Sequence, residues 1–100
     1  MHRRQHILQV VARIPEGKVT SYGRAAAAAS CPGYARYVGK VLSELPADSS
    51  IPWHRVLNAQ GKIAFKPGSE RYVRQRDRLL AEGIPVINGK VCLAEYLWQL

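Results

Sequence analysis

The sequence predicts a mainly α-helical fold with small β-hairpins, organised as a winged helix-turn-helix. Two kinds of observation support this prediction. Apolar residues recur with helical spacing on both sides of a Pro-Gly turn in the first half of the chain, and the second half carries the turn signals of hairpins. The 100 residues have the length of one domain, so residues 1–100 are expected to form a single domain rather than two.

The first helix is predicted over residues 2–14, where four apolar residues recur on one helical face: Ile7, Val10, Val11 and Ile14. The Pro15-Glu16-Gly17 segment ends it. Either Thr20 or Ser21 is expected to cap a second helix, which runs through the five alanines 25–29. Their small side chains are typical of closely packed helices.

The third helix, over residues 34–45, divides into two faces. Its apolar face contains Val38, Val41, Leu42 and Leu45, which are expected to enter the core. Its other face combines small residues with cations: Ala35, Arg36, Gly39, Lys40 and Ser43. Such a face suits a helix that approaches another surface closely, and two short helices about a Pro-Gly turn indicate a helix-turn-helix.

The second half of the chain is predicted to begin with a wing-like hairpin, residues 51–57 and 62–65 flanking the turn 58–61. A charged helix over 70–82 follows and ends at Gly83. Because Val73, Asp77 and Leu80 fall on one helical face, Asp77 is expected to point inward, paired with His54 or Arg55. A hairpin about Asn88-Gly89 and a packed aromatic tail over 95–98 complete the prediction.

Charge favours a polyanionic partner. Fifteen Lys and Arg against seven Asp and Glu give a net charge of +8. Residues 17–43 and 49–69 contain cations and no acid, as expected for a nucleic-acid-binding surface. No apolar run approaches the roughly 20 residues of a membrane span, so a cytoplasmic protein, nucleoid-associated when bound to DNA, is expected. Cys31 and Cys92 lack metal-ligand spacing, so neither a metal nor another cofactor is expected.

The motif Pro52-Trp53-His54-Arg55 resembles the active-site motif Pro-Cys-His-Arg of the O6-alkylguanine-DNA alkyltransferases, with tryptophan in place of cysteine. Further landmarks of that family match at Ser21-Tyr22-Gly23, Ala35-Arg36-Tyr37-Val38-Gly39 and 58–61, and Asp77 falls near the family's active-site acid. The tryptophan, the stretch 74–78 and the tail 95–98 are closer to the alkyltransferase-like proteins. The resemblance implies the fold of the enzymes' C-terminal domain. One departure from the enzymes is Leu45, which stands where they typically have an asparagine.

The chemistry of the motif excludes alkyl transfer at Trp53. An alkyltransferase needs a thiolate nucleophile, and an indole N–H is only a hydrogen-bond donor. Cys31 and Cys92 are expected far from the motif, so no catalytic residue is assigned and the protein is not expected to be an enzyme. His54 and Asp77 are then interpreted as structural remnants of the thiol-activating network, with Arg55 also helping to hold the motif loop.

With alkyl transfer excluded, the remaining function is recognition of the modified base. The resemblance implies that the helix-turn-helix enters the minor groove, that Tyr22 presses on the phosphate of the rotating nucleotide, and that Arg36 fills the vacated stack. Further DNA contacts are expected from small and polar residues on the same side of the fold: Thr20, Ser21, Ala35, Gly39, Lys40 and Ser43. The lesion pocket is expected to be bordered by Pro52, Trp53, Arg55 and Lys66. The alternatives are a core aromatic for Tyr22 or Trp53 and a solvated cation for Arg36 or Lys66.

The predicted partner is double-stranded DNA containing O6-alkylguanine, bound by a monomer. The resemblance implies that the lesion is flagged for nucleotide excision repair proteins. Two rivals remain open at this point. One is a winged helix-turn-helix transcription regulator, and the other is an enzyme, either a glycosylase or an alkyltransferase that uses another acceptor.

Overall fold

The computed structural model describes residues 2–99. Five α-helices and two short strands follow one another in this order: α1 (Arg3–Ala12), β1 (Thr20–Ser21), α2 (Tyr22–Ala28), α3 (Ala35–Ser43), β2 (Val56–Leu57), α4 (Glu70–Ala81) and α5 (Leu93–Tyr96). A single 3₁₀ turn, Trp53–Arg55, precedes β2 and is called the motif turn below. Within residues 2–99, none of the helices combines the length and the apolar character needed to cross a bilayer.

The first three helices pack together as the helical periodicity predicts. All eight apolar residues assigned to the inner faces of α1 and α3 are buried: Ile7, Val10, Val11, Ile14, Val38, Val41, Leu42 and Leu45. Ala25, Ala26 and Ala29 of the alanine run join the same core, where their small side chains allow α2 and α3 to approach closely. The helix-turn-helix is therefore formed by α2 and α3.

Both ends of α2 are closed by local hydrogen bonds. Ser21, one of the two predicted caps, accepts a hydrogen bond from the Arg24 N–H at 3.2 Å. At the other end Ser30 adopts a left-handed conformation with φ 63°, and the Cys31 N–H donates to Ala26 at 2.9 Å. This is a Schellman motif, which directs the chain into the turn of the helix-turn-helix.

The predicted wing hairpin is wrong in its pairing. Strand β2 pairs in parallel with β1, with Thr20 opposite Val56, and residues 53–55 form the motif turn instead of a strand. The turn over 58–61 does form, because the Asn58 N–H donates to the Lys62 carbonyl at 2.9 Å. Residues 62 and 63 then bond to the tail around residues 89–90. The two predicted strands of the wing thus do not pair with each other. Each pairs by backbone hydrogen bonds with a segment that is distant in the chain.

Helix α4 has the predicted bounds and ends at Gly83, whose φ is 79°. Its predicted inner face is wrong. Gln75 and Leu79 are buried, whereas Leu80 is 48% exposed and Asp77 lies at the surface beside Arg76. The apolar residues Val73 and Leu80 suggested that their side of the helix faces inward. The buried side instead contains the polar residue Gln75, which bonds to the backbone around the motif turn.

The tail docks by backbone hydrogen bonds and aromatic packing. Ile87 and Lys90 exchange two backbone bonds of 3.0 Å about Asn88-Gly89, which confirms that hairpin turn. Val19 accepts from Trp98 at 2.7 Å and donates to Tyr96 at 2.9 Å. Trp98 packs on the core formed by α1 to α3, and Tyr96 on a second core around Leu57, Leu79 and Val91. The predicted aromatic tail is confirmed.

Candidate nucleic-acid interface

A groove of about 360 Å³ lies between the helix-turn-helix and the loop that follows β2. It is lined by Tyr22, Ala35, Arg36, Gly39, Asn58, Ala64 and Phe65. The first four are among the DNA-contact residues predicted from the sequence. The last three were missed, because their proximity depends on how the loop folds back over α3.

The outer face of α3 is open at its cations. Arg36 and Lys40 are exposed, and none of the ion pairs found among residues 2–99 involves either of them. The Ser43 hydroxyl is also exposed, but it donates to the Lys40 carbonyl at 2.8 Å. Gly39 has no side chain, and a Cβ added to it would lie 3.9 Å from the Tyr22 ring. No side chain therefore projects from α3 at this position. An anionic surface can therefore approach α3 closely.

Tyr22 connects the groove to the interior. Its ring packs against the core of α1 to α3 while also lining the groove, and burial raises the pKa of its hydroxyl. The hydroxyl therefore stays protonated at neutral pH and keeps a proton to donate.

Two of the predicted phosphate contacts lie in the interior instead. Thr20 is 1% exposed and Ser21 is buried, because both belong to the strand that pairs with β2. The Ser21 oxygen already accepts the capping bond of α2. Because both side chains are buried, neither hydroxyl is presented at the surface, and their assignment as phosphate contacts is corrected.

Trp53 is 2% exposed and lies behind the groove rather than on its wall. Its indole N–H donates to the Ala47 carbonyl at 3.2 Å. Phe65, which does line the groove, meets the Trp53 ring edge-on with the centroids 6.1 Å apart. The Arg71 guanidinium lies 4.9 Å from the centroid of the Trp53 ring, within cation–π range. Of the other predicted pocket residues, Pro52 is half-buried and Lys66 is exposed, and neither lines the groove.

The acid that holds the motif is Glu82, not Asp77. Its carboxylate accepts hydrogen bonds from the Arg55 guanidinium at 2.8–3.0 Å and from the Gly17 N–H at 2.9 Å, and lies 2.6 Å from His54 Nε2. We call this arrangement of Glu82, Arg55, His54 and Gly17 the Glu82 clamp. Asp77 lies on the exposed face of α4 and contacts Arg76. Glu82 lies three residues after the buried Leu79, at the C-cap of α4. The apolar residues Val73 and Leu80 conceal this inward-facing series.

Arg55 belongs to this clamp rather than to the lesion pocket. It also donates to the Ile14 carbonyl at 2.8 Å, so it links the motif turn to the segment after α1. All three nitrogens of its guanidinium donate inside the fold, Nε and Nη2 to Glu82 and Nη1 to Ile14. The assignment of Arg55 as a pocket residue is therefore corrected.

The electrostatics of the clamp favour a carboxylate beside a neutral imidazole. Burial alone raises the pKa of Glu82, but hydrogen bonds from Arg55, Gly17 and His54 outweigh it and lower the pKa from 4.5 to about 2. Burial lowers the pKa of His54 and, together with the positive charges of Arg55 and Arg78, outweighs the opposing effect of the Glu82 carboxylate. At neutral pH the His54 Nε2–H donates to Glu82. The predicted structural role of His54 thus has a definite partner.

Gln75 is a second link between α4 and the motif that sequence reasoning missed. It is 0% exposed, and its amide nitrogen donates to the carbonyls of His54 at 3.0 Å and Val56 at 2.9 Å. The available signal was its spacing, since Gln75, Leu79 and Glu82 recur at i, i+4 and i+7. A polar residue in that series was not recognised as buried.

The two cysteines are unpaired thiols, Cys31 buried and Cys92 exposed. Neither lines the groove beside α3. In the part of the chain that the structure describes, no three His, Cys, Asp or Glu side chains are grouped so as to hold a metal ion.

The sequence is similar to a known DNA-binding family. Residues 2–84 match the 6-O-methylguanine DNA methyltransferase, DNA binding domain. A DNA base-flipping protein of Vibrio parahaemolyticus is 50% identical over 94 residues, which cover 93% of this chain and 92% of the relative. Alkyltransferase-like protein 1 of Schizosaccharomyces pombe is 38% identical over 98 residues, covering 93% and 91% of the two chains.

The fold is also found in a solved complex. A crystal structure of S. pombe Atl1 with damaged DNA containing O6-carboxymethylguanine superposes with a TM-score of 0.90 at 36% identity, covering 98% of this chain and 95% of the other. An experimental structure with the same arrangement of helices thus confirms the fold class predicted from the sequence.

Proposed function

This chain belongs to the alkyltransferase-like proteins, and from that premise we propose that it binds O6-alkylguanine in double-stranded DNA without transferring the alkyl group. The observation that carries the proposal is the groove beside α3, where Tyr22, Arg36 and Gly39 converge next to a motif that lacks a nucleophile. The relatives named for base flipping and the S. pombe complex with damaged DNA support the same activity.

In the proposed mechanism α3 enters the minor groove and the damaged nucleotide rotates out of the stack. Rotation costs a few kcal/mol, and less for a poorly paired base, which provides part of the selectivity for the lesion. Arg36 is exposed and free of ion pairs among the described residues, so its guanidinium is available to occupy the vacated space. Tyr22 is held by the core beside Gly39. In this proposal its ring presses on the phosphate of the rotating nucleotide.

The absence of alkyl transfer follows from the chemistry of the motif. The His54–Glu82 pair that would assist a nucleophile is in place at 2.6 Å, but the adjacent position holds an indole whose N–H is already bonded to Ala47. An indole offers no displaceable lone pair for attack on an alkyl carbon. In this proposal the pair holds the motif turn in place.

We propose that the alkyl group is received at the Phe65 end of the groove, with Trp53 behind it. In the free protein Phe65 lines the groove and contacts Trp53 edge-on, so an alkyl group that enters the groove meets the Phe65 ring first. Lys66 lies next to this ring in the chain and is exposed, which leaves it available to a phosphate or to the rotated base.

The cellular part of the proposal is that the bound lesion is presented, by a monomer in the cytoplasm or nucleoid, to nucleotide excision repair. A protein that recognises a lesion without removing it needs a second system that does. This link rests on the chemistry of the motif and on family membership.

A binding comparison tests the proposed function. Fluorescence anisotropy is measured with duplexes that differ only in guanine or O6-methylguanine, using the native protein and Arg36→Ala. We expect tighter binding to the lesion duplex, and a loss of affinity for both duplexes in the variant. Equal affinity for both duplexes combined with preference for one undamaged sequence would instead indicate a transcription regulator.

Mass spectrometry of the same mixtures tests the absence of chemistry. We expect the masses of protein and DNA to be unchanged after incubation. A methyl group on the protein, or release of the modified base, would identify an enzyme and contradict the proposal.

A further inference from the structure

A second cleft, of about 600 Å³, adjoins the start of the recognition helix α3. Its lining comes from the beginning of α1 and from the turn between α2 and α3: His2, Arg3, His6, Ser30, Cys31, Pro32 and Tyr34. These residues lie outside the family motifs and do not line the groove beside α3. Some of them form the turn between α2 and α3.

Arg3 is held in this cleft by an aromatic stack. Its guanidinium lies 4.2 Å from the centroid of the Tyr34 ring. Tyr34 is the N-cap residue of α3 and is 41% exposed, and Arg36 follows two residues later. The ring of Tyr34 is in turn packed edge-on against Tyr37 at 6.3 Å. A cation on α1 is thereby fixed beside the end of the recognition helix that carries the proposed finger.

The charge of the cleft is one-sided. Arg3 and two imidazoles line it together with small and aromatic residues, and its lining contains no acid. The neighbouring Arg4 is different, because it pairs with Glu44 at 2.8 Å. Arg3 takes part in none of the ion pairs found over residues 2–99. Stacking on the ring face uses none of the guanidinium N–H donors, so those of Arg3 remain available to an anion.

We propose that this cleft binds the phosphate backbone of the same duplex that α3 enters, with Arg3 as the phosphate ligand. The proposal rests on the proposed docking of α3 on DNA and is independent of lesion recognition. A phosphate contact releases counterions and carries no sequence information, so its contribution is the same on damaged and undamaged DNA.

The test is the salt dependence of binding by Arg3→Gln on guanine and O6-methylguanine duplexes. Loss of one phosphate contact is expected to weaken binding roughly five- to tenfold at 0.1 M salt on both duplexes, and to reduce the slope of log K against log salt by about 0.9. Lys90→Gln is the matched control. It removes one exposed charge from the tail hairpin, which packs on the other core, and we expect an unchanged slope.

A phosphate-neutralisation scan locates the contact. Single methylphosphonates are placed along one helical turn on either side of the lesion, and affinity is measured for the native protein and Arg3→Gln. One position is expected to weaken the native protein and to have no effect on the variant, because the charge that it would lose is already absent.

The outcomes separate the two proposals. If Arg3→Gln binds with the native affinity and slope, or if no methylphosphonate position loses its effect in the variant, the phosphate site is wrong even when lesion preference is intact. If the native protein binds both duplexes equally, lesion recognition fails, while the Arg3 result on undamaged DNA still decides the phosphate site. A native thermal midpoint for Arg3→Gln confirms that folding is unaffected.

Discussion

Gly39 lies on the outer face of α3, where an added Cβ would contact only the Tyr22 ring, at an ordinary distance of 3.9 Å. Replacing a glycine inside a helix with alanine stabilises the helix by about 1 kcal/mol when the space is open. We therefore expect Gly39→Ala to raise the free energy of unfolding slightly and to weaken DNA binding, because the methyl group intrudes between helix and DNA. Urea denaturation and anisotropy measure the two effects.

Gly61→Ala provides the contrast. There the φ is 82° and a Cβ would lie 2.6 Å from the Val91 carbonyl oxygen, so we expect lost stability. A Gly39→Ala protein that binds DNA as tightly as the native chain would show that α3 does not approach the duplex closely.

Because Trp53 is buried, the affinities for a series of O6-alkyl groups of increasing length report on the apolar surface at the Phe65 end of the groove. Each methylene that enters an apolar site adds about 0.8 kcal/mol, or roughly fourfold in affinity. We expect binding to tighten from O6-methyl to O6-propyl guanine until the Phe65 end of the groove is filled. Competition anisotropy with matched duplexes measures this series, and a flat or falling affinity from methyl to propyl would show that the alkyl group does not reach an apolar pocket.

Trp53 itself is also a core residue, 2% exposed and in contact with Phe65 and Arg71. Removing such an aromatic side chain costs about 3–5 kcal/mol of stability. Trp53→Phe is therefore a better probe of lesion preference than Trp53→Ala, because a smaller aromatic ring leaves a smaller cavity.

At the scale of single elements, the C-terminus of α2 contains a residue type that its backbone disfavours. Ser30 adopts φ 63° at the position where a Schellman motif usually has glycine. We expect Ser30→Gly to stabilise the protein by about 1 kcal/mol, which for a domain of this size raises the thermal midpoint by roughly 4–8 °C. Ala27→Gly, at an exposed position within α2, is the control and is expected to destabilise by about 1 kcal/mol. A lower midpoint for Ser30→Gly would contradict this explanation.

Helix α4 shows where periodicity alone misleads. Its existence, bounds and glycine stop were predictable, because they depend on local propensity and capping. Its inner face was not, since Gln75 and Glu82 face inward to bond the motif turn while Leu80 remains exposed. The rotation of the helix follows from these polar contacts with a segment 20 to 30 residues away in the chain.

At the scale of the whole molecule, the Glu82 clamp joins three distant segments: the turn after α1, the motif turn and the end of α4. Removing one partner of a buried ion pair costs about 3–5 kcal/mol, because the other charge is left uncompensated. We expect Glu82→Gln to lose about 3 kcal/mol at pH 7. Asp77→Asn is the matched control, with a change below about 0.5 kcal/mol, since Asp77 is exposed. Denaturant unfolding measures both, and equal effects would contradict the reassignment of the acid.

The pH dependence of stability follows from the same clamp. Glu82 has a lowered pKa of about 2, so its contribution is complete above the ordinary value of 4.5 and is lost as the pH falls towards 2. The pKa of His54 is also lowered, from 6.5, so its neutral form contributes above that pH and the contribution declines below it. Unfolding free energies measured from pH 7 to pH 2 are expected to fall in the native protein, and less steeply below pH 4.5 in Glu82→Gln.

The sequence by itself determined helices α1 to α4, the start of α2 at Thr20 or Ser21, the inner faces of α1 and α3, and the missing nucleophile at Trp53. These features depend on residue type and on spacing within a few positions, which the chain displays directly. Only the tertiary structure decided that Glu82 and not Asp77 holds the motif, that Thr20 and Ser21 are buried in a parallel pair with β2, and that Phe65 rather than Trp53 lines the groove. Each of these depends on contacts between segments at least 12 residues apart in the chain. Such contacts are determined by how the segments pack together, which apolar periodicity within one segment does not reveal.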